Sequence, residues 1–560
     1  MFVTIRINRG AARRHHRTLL AGVVWGLLWA GGASALEVPP TPGAIEESLR
    51  LAPEMPASED VPVLDEPPAV RRETVPPGGP GIPVRRFTFE GNTVYGDDEL
   101  RAVIADREGL ELTLEEIYAA ADRLTAFYLD HGYSVALVTV PAQRVTDGIV
   151  RLQVIEGRIG ELHFEGNERY DRTVLRRHLH AVESGTLVRF DRLERSLLLI
   201  NDLPGLVARS VLVPGDEPGT SDLRLRVEET PWSGRVILDN HGPESVGQWR
   251  LSTDAGFNNL SGAGDRLDLG ATVSESSLLR QGRIGWSRPV GYDGGRLALN
   301  YSRADYDVGG EFTHLDISGR SEIARARYTH PHVRSRGRNL YWYVGASRTR
   351  GRSVMEGIPD PLTDGRVDLL EAGLHFDALG ERTRHSASLQ LGSNLRRNAT
   401  RGDGLTRDGG IPLRLGLTGG SERFLAGGWS LSGRGDLQLS ADPLPDALQF
   451  GIGGPHSVRG FVASRQRGDQ GVFASAELRR YHRLEDGFVT LRGFVDAGHI
   501  HRRQPLDGQD RSDALGAAGT GVSVLLRERY SLDMSWAKPV HGRESGDDSS
   551  RFWMTLGAVF

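Results

Sequence analysis

From residue 232 to the C-terminus, apolar and polar residues alternate in short segments that recur about every 20 residues; glycine is frequent and helical periodicity is absent. In one segment Leu267, Leu269, Ala271 and Val273 alternate with Asp268, Gly270 and Thr272, and in another Leu297, Leu299 and Tyr301 alternate with Ala298 and Asn300. The last segment puts Phe552, Met554, Leu556, Ala558 and Phe560 on one face and Trp553, Thr555, Gly557 and Val559 on the other. Segments of about ten residues that alternate apolar-out and polar-in are the pattern of a transmembrane β-barrel. One strand plus loop per roughly 20 residues, spread over these 329 residues, gives about 16 antiparallel strands, enough to leave an aqueous lumen. Periodicity alone also fits a soluble β-sandwich array or a propeller. The terminal Phe560 and the aromatic cluster Tyr341-Trp342-Tyr343 favour the barrel, because aromatic girdles mark its two interfaces. Arginines scattered on the polar faces suit a wet lumen better than a soluble core.

Over residues 84–227 the pattern mixes helices and strands. Val84, Phe87 and Phe89 set a half-buried strand over 84–90, and a short helix follows around 98–104. A longer helix over 114–130 carries Ile117, Ala120, Leu124, Phe127 and Tyr128 on one stripe, with Thr113 and Glu116 at capping-box spacing and Gly132 at its stop. Alternating strands over 134–140 and 149–155 complete the unit. The same order returns over 161–165, 173–179, 192–200 (opened by Asp191 and Glu194), 206–213 and 223–227. The tetrapeptide Phe89-Glu90-Gly91-Asn92 recurs as Phe164-Glu165-Gly166-Asn167, 75 residues later. Self-similarity at a fixed offset marks duplicated structural units. The expected organisation is two α+β modules of pattern β-α-α-β-β, 84–157 and 158–230, followed by an all-β transmembrane barrel over 231–560.

Residues 1–35 read as a secretory signal peptide: Arg6, Arg9, Arg13, Arg14 and Arg17 precede an apolar run over 19–30, and Ala33-Ser34-Ala35 supplies a cleavage site. Elsewhere no run of about 18 to 20 apolar residues is long enough for a membrane-spanning helix. Residues 36–83 are too rich in proline and charge to pack a core. An island over 44–51 fits either linker or about two turns of helix. Cysteine is absent, which excludes thiol catalysis and Cys-metal sites and favours a bacterial envelope protein that is stable without disulfides. A formal charge of −5 gives no reason to expect nucleic acid.

The run Gly453-Gly454-Pro455-His456-Ser457-Val458-Arg459-Gly460-Phe461 resembles the G-G-x-x-S-V-R-G-F motif of the two-partner secretion outer-membrane transporters, the filamentous haemagglutinin and haemolysin exporter family. Asp469-Gln470-Gly471, Glu477-Leu478-Arg479 and Phe494-Val495-Asp496-Ala497-Gly498 follow at family-like distances, the last resembling an F-x-D-x-G strand motif. Leu238-Asp239-Asn240-His241-Gly242, Glu156-Gly157-Arg158-Ile159 and Ala537-Lys538-Pro539 extend the resemblance over nearly the whole chain after the signal peptide. It implies that the two modules are POTRA domains in the periplasm. They would bind a large secreted β-helical exoprotein of adhesin or haemolysin type, which is then threaded through a pore in the outer-membrane lipid. It further implies a lumen loop over about 451–471, including Ser457, Val458, Arg459, Gly460 and Phe461. The Arg459 side chain would pair with Asp496 on the wall strand, beside Phe494 and Gly498. Phe560 would act as the assembly signal read by the barrel-assembly machinery, and residues 44–51 occupy the place of a pore-plugging helix. On residue types alone, Arg459 and Asp496 read as two ordinary lumen-facing charges; the two motifs, each in its place, favour the pair.

A general insertase for barrel proteins is the alternative function, against which two POTRA modules rather than several count. A passive porin would need none. No catalytic residues, cofactor or metal are expected: no Gly-x-Ser-x-Gly elbow lies on a strand-to-helix turn, and His163, His178 and His180 lack metal-ligand spacing. Arg-Gly-Asp at Arg401, Arg434 and Arg467 is read as chance, Gly451-x-Gly453 opens no helix, and the acidic stretch 544–548 reads as a solvated loop.

Overall fold

Strands that lie in lipid must pair their backbone N–H and C=O groups among themselves, and closing the sheet removes the two edges that would otherwise stay unpaired. The computed structural model describes residues 41–49, 79–395, 413–505, 509–542 and 550–560. Among these, sixteen antiparallel strands, from Trp232–Asp239 to Arg551–Val559, close into one barrel. The last strand pairs with the first in the register Leu556↔Leu238. The seam is extended at both ends: Phe560 exchanges two backbone hydrogen bonds with Gly234 (3.0 and 2.8 Å), and the Asn240 side chain bonds the backbone of Phe552 (2.8 Å) and Met554 (2.7 Å). The soluble sandwich and propeller readings fall with this closure.

Alternation sorts the two faces. Leu269, Leu299, Leu370 and Leu556 stand exposed on the outside, whereas Arg266, Asp268, Arg325 and Glu371 line the lumen. The same alternation corrects the reading of Tyr341-Trp342-Tyr343 as one girdle cluster. In the strand Arg338–Met355 the Tyr343 ring turns inward under Arg327 (4.3 Å), and only Trp342, between its neighbours, faces outward. The connections at 335–337 and 485–486, on the rim next to the two modules, are short, whereas the longest described connection, 441–469, leaves from the far rim.

Each module folds as expected in order, with shifted boundaries. The first holds a three-stranded sheet in which Arg86–Glu90 lies parallel to Ile149–Ile155, and Leu137–Thr139 lies antiparallel to it on the other side. The strand expected over 84–90 breaks at Arg85, because Ile82–Val84 leaves to pair with Leu110–Leu112; the strand expected over 134–140 shrinks to three residues at the sheet edge. The second module repeats the sheet with Arg158–Glu165, Thr220–Glu229 and Leu206–Pro214. Its main helix spans Phe190–Asn201, so Asp191 lies in the first turn and no side chain caps it. By contrast, Thr113 and Glu116 do form the capping box of Leu114–Asp130.

The repeated tetrapeptide performs one job twice. Gly91 and Gly166 take φ of +91° and +83°, and a Cβ there would strike the carbonyl oxygens of Val154 and Val227 at 2.4 and 2.3 Å. Asn92 and Asn167 each donate to the carbonyl three residues on, of Tyr95 (2.9 Å) and Tyr170 (3.2 Å). A carboxylate then gathers the following turn: Glu156 accepts from the backbone of Thr93 (2.6 Å) and Val94 (2.8 Å), and Glu229 from Arg169 (3.0 Å) and Tyr170 (3.1 Å). The second module is tied to the barrel rim by Arg334, whose fork donates to Asp202 at 3.0 and 2.7 Å, and by Arg195, which donates to the Pro331 carbonyl at 3.2 Å.

The proposed signal peptide, most of the proline-rich segment, Arg401 and the acidic stretch 544–548 lie outside the described residues.

Candidate functional site, a lumen loop clamped to the barrel wall

The long connection after Trp429–Ser440 turns back into the barrel, where Phe450–Ile452 and Gln466–Gly468 pair as a small antiparallel hairpin before the wall resumes at Gln470. The loop is thus 441–469, and the two last residues of the expected span belong to the wall strand Gln470–Leu484. Two left-handed glycines at its root, Gly453 and Gly454 (φ +107° and +101°), reverse the chain toward Arg459.

Arg459 lies over the point where Gln470–Leu484 meets Gly487–His501. Register places Ser475 opposite Asp496 and Glu477 opposite Phe494, so these four side chains form one inward patch. The guanidinium covers all of it. Nε and Nη2 donate to the two oxygens of Asp496 (2.8 and 2.7 Å), Nη1 donates to Glu477 (2.6 Å), and Nη2 also donates to Ser475 (3.0 Å). Its Cζ lies over the Phe494 ring, 3.3 Å from the centroid. The Arg459 backbone is held as well, its N–H donating to Asp496 (3.2 Å) and its carbonyl accepting from Trp553 Nε1 (2.7 Å). Burying charges is costly unless each is paired and hydrogen-bonded; here a chain of alternating charges continues from Glu477 to Arg479 (2.7 Å) and on to Glu422 (3.4 Å), which accepts from Tyr481 (2.6 Å) and Ser430 (2.7 Å).

The remaining motif residues supply fit. Val458 and Phe461 pack with Ile452, Phe473, Ile500, Leu515 and Ala517 in an apolar cluster inside the barrel. Gly498 is small because Ile452 and Val458 lie against it: a Cβ would meet their methyls at 3.0 and 3.1 Å. At Gly460 a Cβ would meet Ala517 at 2.8 Å and the Pro539 backbone at 3.0 Å. Ser457 is tied by its backbone to Gly454 (3.1 Å), while its buried hydroxyl finds no partner among the described residues. Asp469, fully buried, accepts from the backbone of Leu444 (2.5 Å) and Arg503 (2.7 Å), and so ties the end of the loop to its start and to the next connection. Phe560 is remote from this cluster, at the module-side end of the seam.

A second element shares the lumen. The helix is Pro42–Ser48 rather than 44–51; it starts earlier because Thr41 caps it and Pro42 suits the first turn. Ile45 is wholly buried among Val246, Leu279, Tyr306 and Ile317 of the barrel. Glu47 accepts from Ser464 (2.7 Å) and Arg467 (2.8 Å) of the loop, Gly43 N–H donates to Asp446 (2.8 Å), and Arg250 donates to the Ser48 carbonyl (2.8 Å). These partners, like Glu477 and Glu422, were not singled out as a set in the sequence. Glu477 and Arg479 carry a signal as a motif match; Asp446 and Arg467 carry none that points to Gly43 or Glu47.

The sequence model described as "Haemolysin secretion/activation protein ShlB/FhaC/HecB" matches residues 219–524, and that of the "POTRA domain, ShlB-type" matches 82–157. The heme/hemopexin transporter protein HuxB of Haemophilus influenzae is 24% identical over 480 residues, 83% of this chain and 84% of that protein. The outer membrane transporter CdiB of Dickeya dadantii is 25% identical over 479 residues, 81% of each. Among solved structures, CdiB from Escherichia coli superposes with a TM-score of 0.71 at 20% identity, covering 88% of this chain and 94% of that one, and shares the fold. The chain belongs to the haemolysin secretion/activation family: it is a two-partner secretion transporter of the outer membrane, a pore that takes a secreted exoprotein from POTRA domains in the periplasm to the cell surface.

Proposed function

We propose that the exported partner is a large β-helical protein of the adhesin or haemolysin type, and that the short helix and the clamped loop divide the work of the pore between them. The Pro42–Ser48 helix is the stopper and the Arg459 loop is the fixed wall against which it seats. The observation that carries this reading is the contrast in how the two are held. The loop is anchored by a buried, fully paired arginine, whereas the helix has seven residues, one buried aliphatic anchor and a few polar contacts. An isolated helix this short has little stability of its own, so leaving the lumen costs mainly those contacts.

In the periplasm, the edge strands of the two module sheets, Leu137–Thr139 and Leu206–Pro214 among them, offer backbone groups to an extended segment. Strand addition gives affinity without demanding one sequence, and side chains along the edge add selectivity. Folding of the exported chain outside the cell then opposes its return. Phe560, which completes the seam with Gly234, is proposed as the signal for the barrel-assembly machinery during biogenesis.

Quantitative proteomics of culture supernatant and outer membrane, with and without this chain, tests the assignment. Loss of one large polypeptide with other barrels unchanged supports a dedicated exporter and names its partner; broad depletion of outer-membrane barrels overturns it in favour of an insertase.

A further inference from the structure

The outside of the barrel carries a charge pattern for which polypeptide export has no use. Five consecutive strands, Leu279–Pro289, Arg296–Asp307, Ile317–Arg334, Arg338–Met355 and Thr363–Leu379, can be read row by row, since directly opposed residues share a face. An outward row of Asp307, Ser318 and Val354 edges the far rim, and the first basic row beneath it is Arg280, Asp305, Arg320, Arg352 and Asp364. The next is Gly282, Arg303, Glu322, Arg350 and Arg366, and the third contains Arg348 and Asp368 beside Ile284, Tyr301 and Ala324. Below these the face turns apolar, with Trp286, Leu299, Ala326, Ala346 and Leu370 in one row. That these rows face outward follows from the exposure of Ile284, Tyr301, Leu299 and Leu370, while Ala304 and Tyr306, at the alternate positions, are buried with Ile45 inside the lumen.

The three arginine-bearing rows hold seven arginines against four carboxylates, a net charge of +3, which Asp307 above them lowers to +2. Asp305 is shared by Arg303 (2.8 Å) and Arg320 (2.7 Å), and Asp368 by Arg348 (2.6 Å) and Arg366 (2.9 Å). Register sets Arg320 directly opposite Arg352, and Arg350 directly opposite Arg366. Like charges so placed weaken a sheet unless an anion lies between them. This is not a general feature of the rim: the far ends of Leu413–Phe424, Trp429–Ser440 and Gln470–Leu484 present Leu413, Leu439 and Val472, all exposed. The basic band therefore occupies one sector, immediately above the apolar belt, on the rim away from the periplasmic modules.

We propose that this sector is a docking site for a phosphorylated glycolipid of the lipid A class in the outer leaflet. One phosphate lies on Arg303 and Arg320 and the other on Arg350 and Arg352, and the acyl chains run down over Leu299, Ala346 and Leu370. Arginine forks take phosphate bidentately. Arg303 and Arg350 are two strands apart, about 10 Å, a separation that a disaccharide with a phosphate at each end can span. The exported polypeptide passes through the lumen, behind this wall, and a lipid is the molecule that meets its outer face.

The full chain in mild detergent would be titrated with bis-phosphorylated lipid A and with the same lipid stripped of phosphate, bound lipid being read by native mass spectrometry. The expected result is binding of the phosphorylated form at least about tenfold tighter. A comparable loss is expected in the double variant Arg350→Gln/Arg352→Gln, with heat-modifiable gel migration of the folded barrel retained. Arg423→Gln, on the outer face at the periplasmic end opposite Leu431, should leave affinity unchanged. Equal binding of the two lipids, undiminished affinity in a folded double variant, an equal loss in Arg423→Gln, or displacement of the lipid by an acidic peptide would each overturn the assignment. If the double variant does not fold, Arg350→Gln alone is read the same way.

Discussion

Arg459 and Asp496 meet through two parallel hydrogen bonds, Nε to Oδ2 at 2.8 Å and Nη2 to Oδ1 at 2.7 Å, in a place where their side chains are 5% and 0% exposed. The fork fixes direction as well as distance, and a lysine at the same position would deliver one point charge to one oxygen. Arg459→Lys is therefore expected to behave almost as badly as Arg459→Ala. Each leaves a buried carboxylate short of donors, a defect of about 3–5 kcal/mol for a buried pair. Because the sixteen-strand closure does not pass through Arg459, both variants should reach the outer membrane in normal amount, while secretion of the partner falls at least about tenfold. Western blots of membrane and supernatant separate the two effects; restored secretion in Arg459→Lys would contradict the role given to the fork.

Gly460 and Gly498 make a steric prediction that is independent of charge. Gly460→Ala forces a Cβ to within 2.8 Å of Ala517 and 3.0 Å of the Pro539 backbone, neither of which is a flexible side-chain tip. Gly498→Ala meets the methyl groups of Ile452 and Val458 at 3.0 and 3.1 Å and the Ile452 Cβ at 3.2 Å, all side-chain atoms that can yield slightly. Overpacking of this kind costs about 1–3 kcal/mol. The expected order of secretion is wild type, then Gly498→Ala, then Gly460→Ala, with Gly498→Leu worse than either.

The motifs around Arg459 and Asp496 made that pair legible before any fold was known, because a loop motif and a strand motif each occurred whole. Alternation likewise made Leu267 to Val273 and the final strand legible, since the period-2 pattern is the physical requirement of a two-faced wall. The same local rule hid other features. Nothing within a few residues of Glu47 indicates Arg467 or Ser464, which reach it only after the loop folds inward. Tyr341-Trp342-Tyr343 is one cluster by composition, but alternation sends Tyr343 inward and Trp342 outward. Arg85 broke an expected strand because the partner of Ile82–Val84, a three-residue strand at Leu110–Leu112, is too short to announce itself.

Glu156 makes a prediction about pH. Burial pushes its carboxyl upward, but hydrogen bonds from the Thr93 hydroxyl, the backbone of Val94 and Thr93, and the Tyr128 hydroxyl outweigh burial and hold it below the ordinary value of 4.5. A carboxylate depressed in the folded state adds stability that is present above the unfolded value and is lost as pH falls through the folded one. Glu156→Gln should thus destabilise the first POTRA domain by about 1–3 kcal/mol at pH 7, and the gap from wild type should narrow below about pH 4.5. Limited proteolysis of the full chain across pH, read at sites in 84–157, measures this. A gap that stays constant down to pH 3 would show that Glu156 acts by shape alone.

The contact of Glu47 with the loop yields the last prediction. Its Oε2 accepts from Ser464 at 2.7 Å and from Arg467 Nη1 at 2.8 Å, and its side chain is 27% exposed, so water screens part of the attraction. Hydrogen bonds to a charged group contribute about 1.5–3 kcal/mol when sheltered; discounted for exposure, losing them is worth roughly a tenfold shift in the seated-to-unseated ratio. Glu47→Gln should therefore raise single-channel open probability in planar bilayers by about that factor. The conductance of each open event should be unchanged, because the wall is intact. Arg467→Ala should act in the same direction and more strongly, since Arg467 also donates to the Asp446 carbonyl at 2.7 Å, beside the Asp446 carboxylate that receives Gly43. The double variant should open little more than Arg467→Ala alone, because the two changes remove one shared interaction. Fully additive effects would mean that Glu47 and Arg467 hold the helix separately.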